Sequence, residues 1–415
     1  MEINIKDGYK VTEVGVIPDD WEVKKLKDCL IQNPDYGINA PAVPYLDNLP
    51  TYIRITDISE DGNFLAQNKV SVIHHNANNY FLEFGDIVLA RTGASTGKSY
   101  LYNVKDGKLV FAGFLIRVKP DTQKLYPRYL KGCLETQAYW NWVKVMSMRS
   151  GQPGINSNEY SQLQIPLPPL AEQKAIAHAL SDVDNLITAI DQLITKKRNI
   201  KQGTMQELLT GKKRLPGFSG KWEVKKLGDI GECIIGLTYK PENVKESGLL
   251  VLRSSNIADN QLKFDDTVFV DVEVTDKLMT KEGDILICVR NGSRQLIGKN
   301  ALIDKKSEGL TFGAFMSVYR TKFYKYIFHA FQTNEIKKQI HENIGATINQ
   351  ITNKNLNSFE ISLPPQIEEQ KAIAEILTDI DKEIEALEKN RDKYKALKQG
   401  MMQELLTGKT RIIDN

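Results

Sequence analysis

The sequence predicts an α/β fold in which two tandem-repeat mixed α/β domains are joined by two long helices that form an antiparallel coiled coil. Three observations predict this fold. The chain repeats itself once along most of its length. The first part of each repeat contains short β-rich runs between turn residues. The second part carries apolar residues at the alternating spacing of a coiled-coil seam.

The two repeats match most closely at their ends. The offset between the matched EQKAIA segments, which begin at Glu172 and Glu369, is 369 − 172 = 197 residues. Between the ends the repeats agree only in outline, so each repeat is a variable domain followed by a nearly identical segment. The matched segments are WEVKKL at Trp21 and Trp222, EQKAIA at Glu172 and Glu369, and KQGTMQELLTGK at Lys201 with KQGMMQELLTGK at Lys398.

The variable domains have the pattern of mixed α/β structure. Strands are predicted for DIVLA at residues 86–90, LVFAGFLIRV at 109–118 and DILICV at 284–289, because these runs lie between Gly, Asn and Asp turns. A helical stretch, roughly residues 127–145 and 326–343, closes each domain.

Each nearly identical segment begins after a Pro-Pro pair and continues with helical periodicity. Residues 171–203 would form a helix of 33 residues, about 50 Å long at ~1.5 Å per residue. We predict that the two helices pair with each other, although packing of each helix on its own domain is the alternative. An antiparallel pair is easier to connect, since the compact second domain must be bypassed. The predicted seam consists of Ile176, Leu180, Val183, Ile187 and Ile190 with Ile373, Leu377, Ile380, Ile384 and Leu387.

Composition excludes several classes of protein. The length of 415 residues allows two to three domains, and 55 Lys and Arg against 52 Asp and Glu leave a charge of +3. This charge does not by itself indicate nucleic-acid binding, so any DNA site must come from local patches. The four cysteines are scattered without CxxC spacing, which argues against a disulfide framework and a zinc site. No run of about 18 apolar residues, the length of a membrane-spanning helix, occurs. We expect a soluble, unexported protein of the reducing cytoplasm.

The segment GASTGKS, from Gly93 to Ser99, is similar to a phosphate-binding loop. Such a loop needs four residues between its first glycine and the Gly-Lys pair, and here there are three. The second repeat places RNGSRQLIGK at the same point, with a longer interval and no Ser or Thr after Lys299. This variation favours a recognition loop. A P-loop-type nucleotide-binding enzyme that uses this segment remains the alternative, and ATP binding by the isolated chain would support it.

No catalytic residue, metal site or cofactor is predicted. NPDY, from Asn33 to Tyr36, approaches the Asn-Pro-Pro-Tyr motif of amino-methyltransferases, but Asp35 replaces the second proline and no FxGxG loop accompanies it. His74 and His75 are adjacent and would point to opposite faces of a strand, which is poor geometry for a shared metal.

The order of motifs resembles one known family. A variable domain that begins at a Trp, then LPPLAEQKAIAHALSDVDNLI, then QELLTGK, all repeated once, is similar to the specificity (S) subunit of a type I restriction-modification enzyme. The second copy departs from this pattern by one extra residue in LPPQIEEQ, which leaves its helix start open.

The resemblance implies a non-catalytic subunit that binds double-stranded DNA. Each target recognition domain would read one half of a bipartite asymmetric site. The coiled coil would set the half-site spacing and dock two methylating (M) subunits and, through them, restriction (R) subunits. The expected boundaries are 1–166 for target recognition domain 1, 167–214 for a central spacer helix region, 215–362 for target recognition domain 2, and 363–415 for a C-terminal spacer helix region.

Basic and amide residues in loops that differ between the repeats are the candidates for DNA contacts. Arg can donate two hydrogen bonds to guanine, and Asn or Gln can do the same for adenine. A purely structural tether is a third hypothesis. The two diversified domains argue against it, because a tether would not need them. The candidates are Arg54, Arg91, Lys98, Arg149, Gln152, Arg253, Arg290, Arg294, Lys299, Asn349 and Gln350.

Overall fold

The computed structural model describes residues 7–148 and 154–412 of the chain. These residues form two compact units. The first contains the described residues up to Ile190 together with those from Asn390 onward, and the second is Asp191–Lys389. Each unit therefore holds one variable domain and a segment of each long helix.

The first variable domain is built from short strands and three helices. Its strands are β1 (Tyr9–Thr12), β2 (Gly15–Pro18), β3 (Glu22–Lys25), β4 (Asp35–Tyr36), β5 (Ala42–Pro44), β6 (Thr51–Ile53), β7 (Val70–Val72), β8 (Ile87–Ala90), β9 (Ser99–Leu101), β10 (Leu109–Phe111), β11 (Leu115–Val118) and β12 (Gln164–Leu167). Its helices are α1 (Pro127–Cys133), α2 (Gln137–Ser147) and α3 (Ser157–Ser161).

Two four-stranded sheets form the centre of this domain, with strand orders β4-β11-β8-β9 and β10-β6-β7-β5. The pair β6–β10 is parallel and the other pairs are antiparallel. The run predicted as one strand over 109–118 is two strands in different sheets. A turn separates them, in which the N–H of Leu115 donates to Ala112 at 2.8 Å.

The second variable domain repeats this topology. The sheet β14-β23-β20-β21 corresponds to β4-β11-β8-β9, and β15-β19-β16-β22 corresponds to β5-β7-β6-β10. Its strands are β13 (Glu223–Lys226), β14 (Glu232–Ile235), β15 (Val244–Lys245), β16 (Leu249–Leu252), β17 (Ile257–Ala258), β18 (Gln261–Leu262), β19 (Phe269–Val270), β20 (Ile285–Cys288), β21 (Asn300–Leu302), β22 (Thr311–Phe312), β23 (Met316–Arg320) and β24 (Glu360–Leu363). The remaining elements are the long helix α4 (Leu170–Leu208), which precedes this domain, and the helices α5 (Leu227–Ile230), α6 (Tyr324–Ala330), α7 (Asn334–Asn343), α8 (Asn353–Ser358) and the long α9 (Ile367–Leu405).

The helical stretch predicted to close each domain is two helices rather than one. Thr136 caps the second helix of the first domain by accepting a hydrogen bond from the N–H of Tyr139 at 3.2 Å. Thr333 does the same for α7, with the N–H of Ile336 at 3.5 Å. A threonine at the N-cap satisfies an otherwise unpaired backbone donor, so each break falls at this residue.

The long helices α4 and α9 have 39 residues each, which is longer than the predicted 33. Both continue through Gly203 and Gly400 into MQEL, and each would be about 58 Å long at the standard rise per residue. The extra residue of LPPQIEEQ lies before the helix, because α9 begins 367 − 170 = 197 residues after α4. The repeat register is therefore kept in the helices.

Ion pairs show that the helix segments run antiparallel. In the second unit Arg198 of α4 pairs with Glu388 of α9 at 2.6 Å, and Lys201 pairs with Asp381 at 2.7 Å. The residue number on α9 falls as the number on α4 rises, so the two helices run in opposite directions. The first unit has the matched contact between Lys398 and Asp184 at 2.8 Å.

The predicted seam residues have two kinds of environment. Near the helix starts they belong to a domain core that also contains the far end of the other helix. Each helix therefore packs both on its own domain and on the other helix. Ile176 and Leu180 share the first core with Met402 and Leu405, and Ile373 and Leu377 share the second with Met205 and Leu208. Farther along, Ile190 and Ile384 are buried, whereas Val183, Ile187, Ile380 and Leu387 are less completely buried.

The WEVKKL and EQ motifs of the first repeat meet at the start of α4. Trp21 is fully buried and its Nε1 donates to Glu172 at 3.1 Å. Arg411 donates to the same carboxylate at 2.5 Å and to Asp20 at 2.9 Å. These hydrogen bonds raise the pKa of Arg411 and lower that of Asp20, in the latter case against the effect of burial. The helix start is thus tied to the domain and to the chain segment after α9.

Candidate nucleic-acid interface

The segment from Gly93 to Ser99 is the turn of a β-hairpin. It joins β8 to the antiparallel strand β9, whereas a phosphate-binding loop leads from a strand into a helix. The backbone donors of its second half are engaged within the hairpin: the N–H of Thr96 donates to Gly93 at 3.1 Å, and that of Lys98 donates to Ser95 at 3.0 Å. The segment therefore does not present the cradle of N–H groups that binds a phosphate in a P-loop.

The glycine of the Gly-Lys pair in this segment is explained by packing. Gly97 has φ +93°, and a Cβ there would lie 2.8 Å from a methyl of Val143 on α2. Gly298, its counterpart in the second domain, has φ +87° and would meet Ile340 on α7 at 2.7 Å. Only glycine fits a left-handed backbone this close to a helix.

Arg91 lies at the end of β8 between two partly exposed aromatic rings. Its guanidinium carbon is 5.0 Å from the ring centre of Tyr36 and 6.0 Å from that of Phe114. Its Nε donates to the carbonyl of Gly113 at 3.1 Å. Burial opposes ionisation of Tyr36, but the N–H of Ser157 and the charge of Arg91 outweigh it and lower the pKa of the phenol. The arginine is held by stacking and by one backbone bond.

Arg290 has the same arrangement in the second domain. Its guanidinium lies 4.8 Å from the ring centre of Phe315. The N–H of each arginine donates to the carbonyl of its phenylalanine at 3.1 Å, and in the second domain the preceding residue, Val289, donates to the same carbonyl at 3.0 Å. Phe114 and Phe315 are each 54% exposed. The matched pairs differ in that Ile235, rather than an aromatic residue, ends β14 where Tyr36 ends β4.

A second loop that carries predicted candidates lies against this position in each domain. In the first domain Thr92 forms a β-bridge with Gly154. In the second domain Arg290 forms a bridge with Gln350, and Asn349 donates through its side chain to Gly292 at 2.9 Å. The structure therefore brings the predicted arginine loop and the predicted amide loop together in the second domain.

Several other candidates are engaged by carboxylates. Arg54 makes two hydrogen bonds to Asp57, of 2.8 and 2.9 Å, which fix a short turn after β6. Arg253 pairs with Asp266 at 2.7 Å. Lys98 pairs with Glu60 at 2.6 Å. Their charges are largely neutralised within the domain.

The remaining basic candidates have no carboxylate within 4.0 Å among residues 7–148 and 154–412. Lys299 donates to the carbonyl of Ser254 at 3.1 Å, and Arg294 donates to that of His341 at 3.2 Å. Both line a cavity of about 320 Å³ beside α7. With Arg91 and Arg290 they are the predicted cations that keep an uncompensated charge. Arg149 and Gln152 lie outside the described residues.

Sequence reasoning missed the aromatic partners Tyr36, Phe114 and Phe315. The signal was present in the repeat, because FAGF at residues 111–114 corresponds to FGAF at 312–315. Asp35 of NPDY has a structural role, since its carboxylate accepts two hydrogen bonds from the buried Arg117 at 2.7 and 3.1 Å.

The part of the chain that the structure describes contains no group of three or more His, Cys, Asp or Glu side chains placed to hold a metal ion. None of its helices is long and apolar enough to cross a membrane.

Comparison with known proteins identifies the family. The sequence profile of the type I restriction modification DNA specificity domain matches the chain twice, at residues 18–201 and 219–394. The chain belongs to the family of type I restriction-modification specificity proteins. The two matches agree with the duplicated topology described above, and the family fold is the predicted one of two α/β domains with two long paired helices.

Relatives of this family match over nearly the whole chain. The type I restriction enzyme MjaX specificity subunit of Methanocaldococcus jannaschii is 30% identical over 98% of this chain and 97% of its own length. The MjaVIII specificity subunit of the same organism is 27% identical over 99% of this chain and 98% of its own length. The fold is also similar to the crystal structure of a type I restriction-modification S subunit from M. genitalium. That structure has a TM-score of 0.60 at 14% identity and covers 97% of this chain and 98% of the other.

Proposed function

We propose that this chain recognises a DNA sequence for a type I restriction-modification system, with each variable domain reading one half of a bipartite asymmetric site. The observation that carries the proposal is the duplication: one topology occurs twice, and the same surface loops carry different residues in the two copies. Two unlike readers in one chain fit a site with two unlike halves.

The proposed division of labour follows the repeat. Residues 1–166 and 215–362 are the target recognition domains, and residues 167–214 and 363–415 are the spacer helix regions. The paired helices connect the two readers in this proposal, as the dimer contact of a repressor matches half-sites about one turn of B-DNA, ~34 Å, apart. The helix length would then set the gap between the half-sites.

The chain performs no chemistry itself in this proposal. The Gly93–Ser99 hairpin lacks the strand-to-helix geometry of a nucleotide site. Methylation and cleavage would be carried out by two M subunits and by R subunits, docked on the spacer helices in the cytoplasm. Double-stranded DNA would be the shared substrate of the complex.

Mapping of modified bases tests the proposal. The chain would be co-expressed with its methylating partner in a host without related modification systems, and methylated bases would be mapped across the genome. A split, asymmetric motif with two defined halves is the expected result. A continuous motif would contradict it, as would saturable ATP binding by the isolated chain.

A further inference from the structure

The matched arginine–phenylalanine pairs require an explanation beyond domain stability. Arg91 with Phe114 and Arg290 with Phe315 follow the ends of β8 and β20, Arg91 directly and Arg290 after one extra residue, in domains whose surface loops otherwise differ. The strands are in the same register, since Ala90 lies opposite Leu115 and Cys288 opposite Met316. The extra residue, Val289, forms a bulge whose N–H donates to the carbonyl of Phe315 together with that of Arg290, so the arginine still lies over its phenylalanine.

The two rings and their cations are accessible at the surface. Each phenylalanine is 54% exposed and has a guanidinium stacked over its ring. Neither arginine has a carboxylate within 4.0 Å in the described parts of the chain, whereas the nearby Arg54 and Arg253 are each paired. The pairs therefore present an unneutralised, oriented positive charge at the surface.

The neighbouring groups have the chemistry of a nucleic-acid surface. In the second domain Asn291 donates to Ser254 at 3.0 Å, and the ammonium of Lys299 lies 3.1 Å from the carbonyl of that serine. Amides and cations without carboxylates suit a phosphate backbone and base edges.

We propose that Arg91 with Phe114 and Arg290 with Phe315 are matched phosphate-binding pairs, one in each target recognition domain, that hold DNA without reading its sequence. This inference rests on the proposed function. A residue that reads a base should differ between domains that read different half-sites, whereas a residue that holds the backbone can be the same in both. The phenylalanine fixes the plane of the guanidinium, which then meets a phosphate.

The test uses the full chain assembled with its methylating partner and synthetic duplexes that contain the mapped split site. Affinity is measured over a salt series, and the methylated motif is mapped again in cells for each variant. Arg91→Ala should weaken binding roughly tenfold, the loss of a charged hydrogen bond, and should lower the salt slope by about 0.9. Arg290→Ala should have the same effect, and the double variant should lower the slope by about 1.8. The motif should remain unchanged in all three.

The ring is tested separately. Phe114→Leu should lose part of the affinity because it removes the stacking surface, and Phe114→Tyr should keep it. Phe84→Ala is the matched control, because Phe84 is more exposed, at 79%, and no cation lies over its ring among the described residues. Arg91→Gln is a second variant in case Arg91→Ala unfolds the domain, which thermal unfolding would reveal.

Two results would overturn the inference. One is an affinity and a salt slope that stay at the wild-type values in both Arg91→Ala and Arg290→Ala. The other is a variant whose motif loses a base in one half, which would make the arginine a base reader. Failure of the wild-type complex to methylate any split site would instead contradict the proposed function.

Discussion

Gly97 illustrates how a motif for one chemistry can arise from packing. Its left-handed backbone and its approach to Val143 require glycine, and the matched Gly298 meets Ile340 in the same way. The Gly-Lys pair therefore recurs in both domains without a nucleotide. Gly93 also has a positive φ, +70°, but nothing lies within 4 Å of its Cβ position.

Substitution at these glycines separates packing from backbone strain. Gly97→Ala should destabilise the first unit by about 2–4 kcal/mol, because a strained backbone and a steric clash add. Gly93→Ala should cost only about 1 kcal/mol, from the backbone alone. Thermal unfolding of the two variants measures the difference, and equal losses would show that packing is not the reason for the glycine.

His329 of α6 gives the second unit a dependence on pH. Burial, followed by the charge of Lys201, lowers the pKa of His329 to about 3. Its Nε2 lies 3.1 Å from Thr378, and its Nδ1 lies 3.8 Å from the carboxylate of Asp381, which Lys201 already engages. The imidazole is therefore neutral in the folded state.

The sign of the effect follows from the lowered pKa. Below about pH 6.5 the unfolded chain binds a proton that the folded chain does not, so stability falls as the pH falls, by up to about 1.4 kcal/mol per pH unit until about pH 3. His329→Gln should flatten this dependence in urea unfolding at about pH 7 and pH 5. His341→Gln, at an exposed site on α7, is the control and should leave the slope as it is. The same slope in His329→Gln and the wild type would contradict the assignment.

At the scale of elements, the long helices are joined by matched bridges. The ammonium of Lys201 in α4 contacts Asp381 of α9 and the side chain of Gln332, the latter at 2.8 Å. Lys398 of α9 contacts Asp184 of α4 and Glu135, at 2.8 and 3.2 Å. Each lysine thus links the partner helix to a variable domain, which fixes the register of the antiparallel pair.

Removal of one bridge should destabilise one unit. Lys398→Met removes one of the two lysines that pair with Glu135, the other being Lys131, and should cost about 1 kcal/mol because the groups are partly exposed. A double-mutant cycle of Lys398→Met with Asp184→Asn, followed by chemical denaturation, should give a coupling energy of about 1 kcal/mol. Additive losses would mean that the two groups do not interact.

The elements also show what could be predicted from the sequence. Repetition predicted the two domains and the 3.5-residue stripe predicted the paired helices, since both signals can be read directly from the residues. The antiparallel direction followed from the need to bypass the second domain. The break at Thr136 was missed although a threonine N-cap is a local signal, and the split of residues 109–118 was missed because it depends on which sheet each half joins. At the candidate interface the sequence predicted which loops carry basic and amide residues, but not that the loops meet. It could not show that Arg54 is bound by Asp57 or that Arg91 is stacked on Phe114, because those contacts depend on tertiary placement.

For the whole molecule, we predict that the length of the paired helices sets the gap between the two halves of the DNA site. Insertion of one heptad into both α4 and α9 keeps the seam in phase and adds about 10 Å, or roughly three base pairs of B-DNA. The mapped motif should keep both halves and widen only its gap. Insertion into α4 alone should disrupt the pairing and reduce methylation at every site. An unchanged gap in the double insertion would show that the helix length does not set the spacing of the half-sites.

The central claim is that the two domains read independently, and replacement of one domain tests it most directly. Residues 1–166 would be exchanged for the corresponding domain of another family member, the chimera co-expressed with the same methylating partner, and methylated bases mapped across the host genome. We expect a motif in which one half changes while the other half and the gap stay the same. A motif changed in both halves would contradict it.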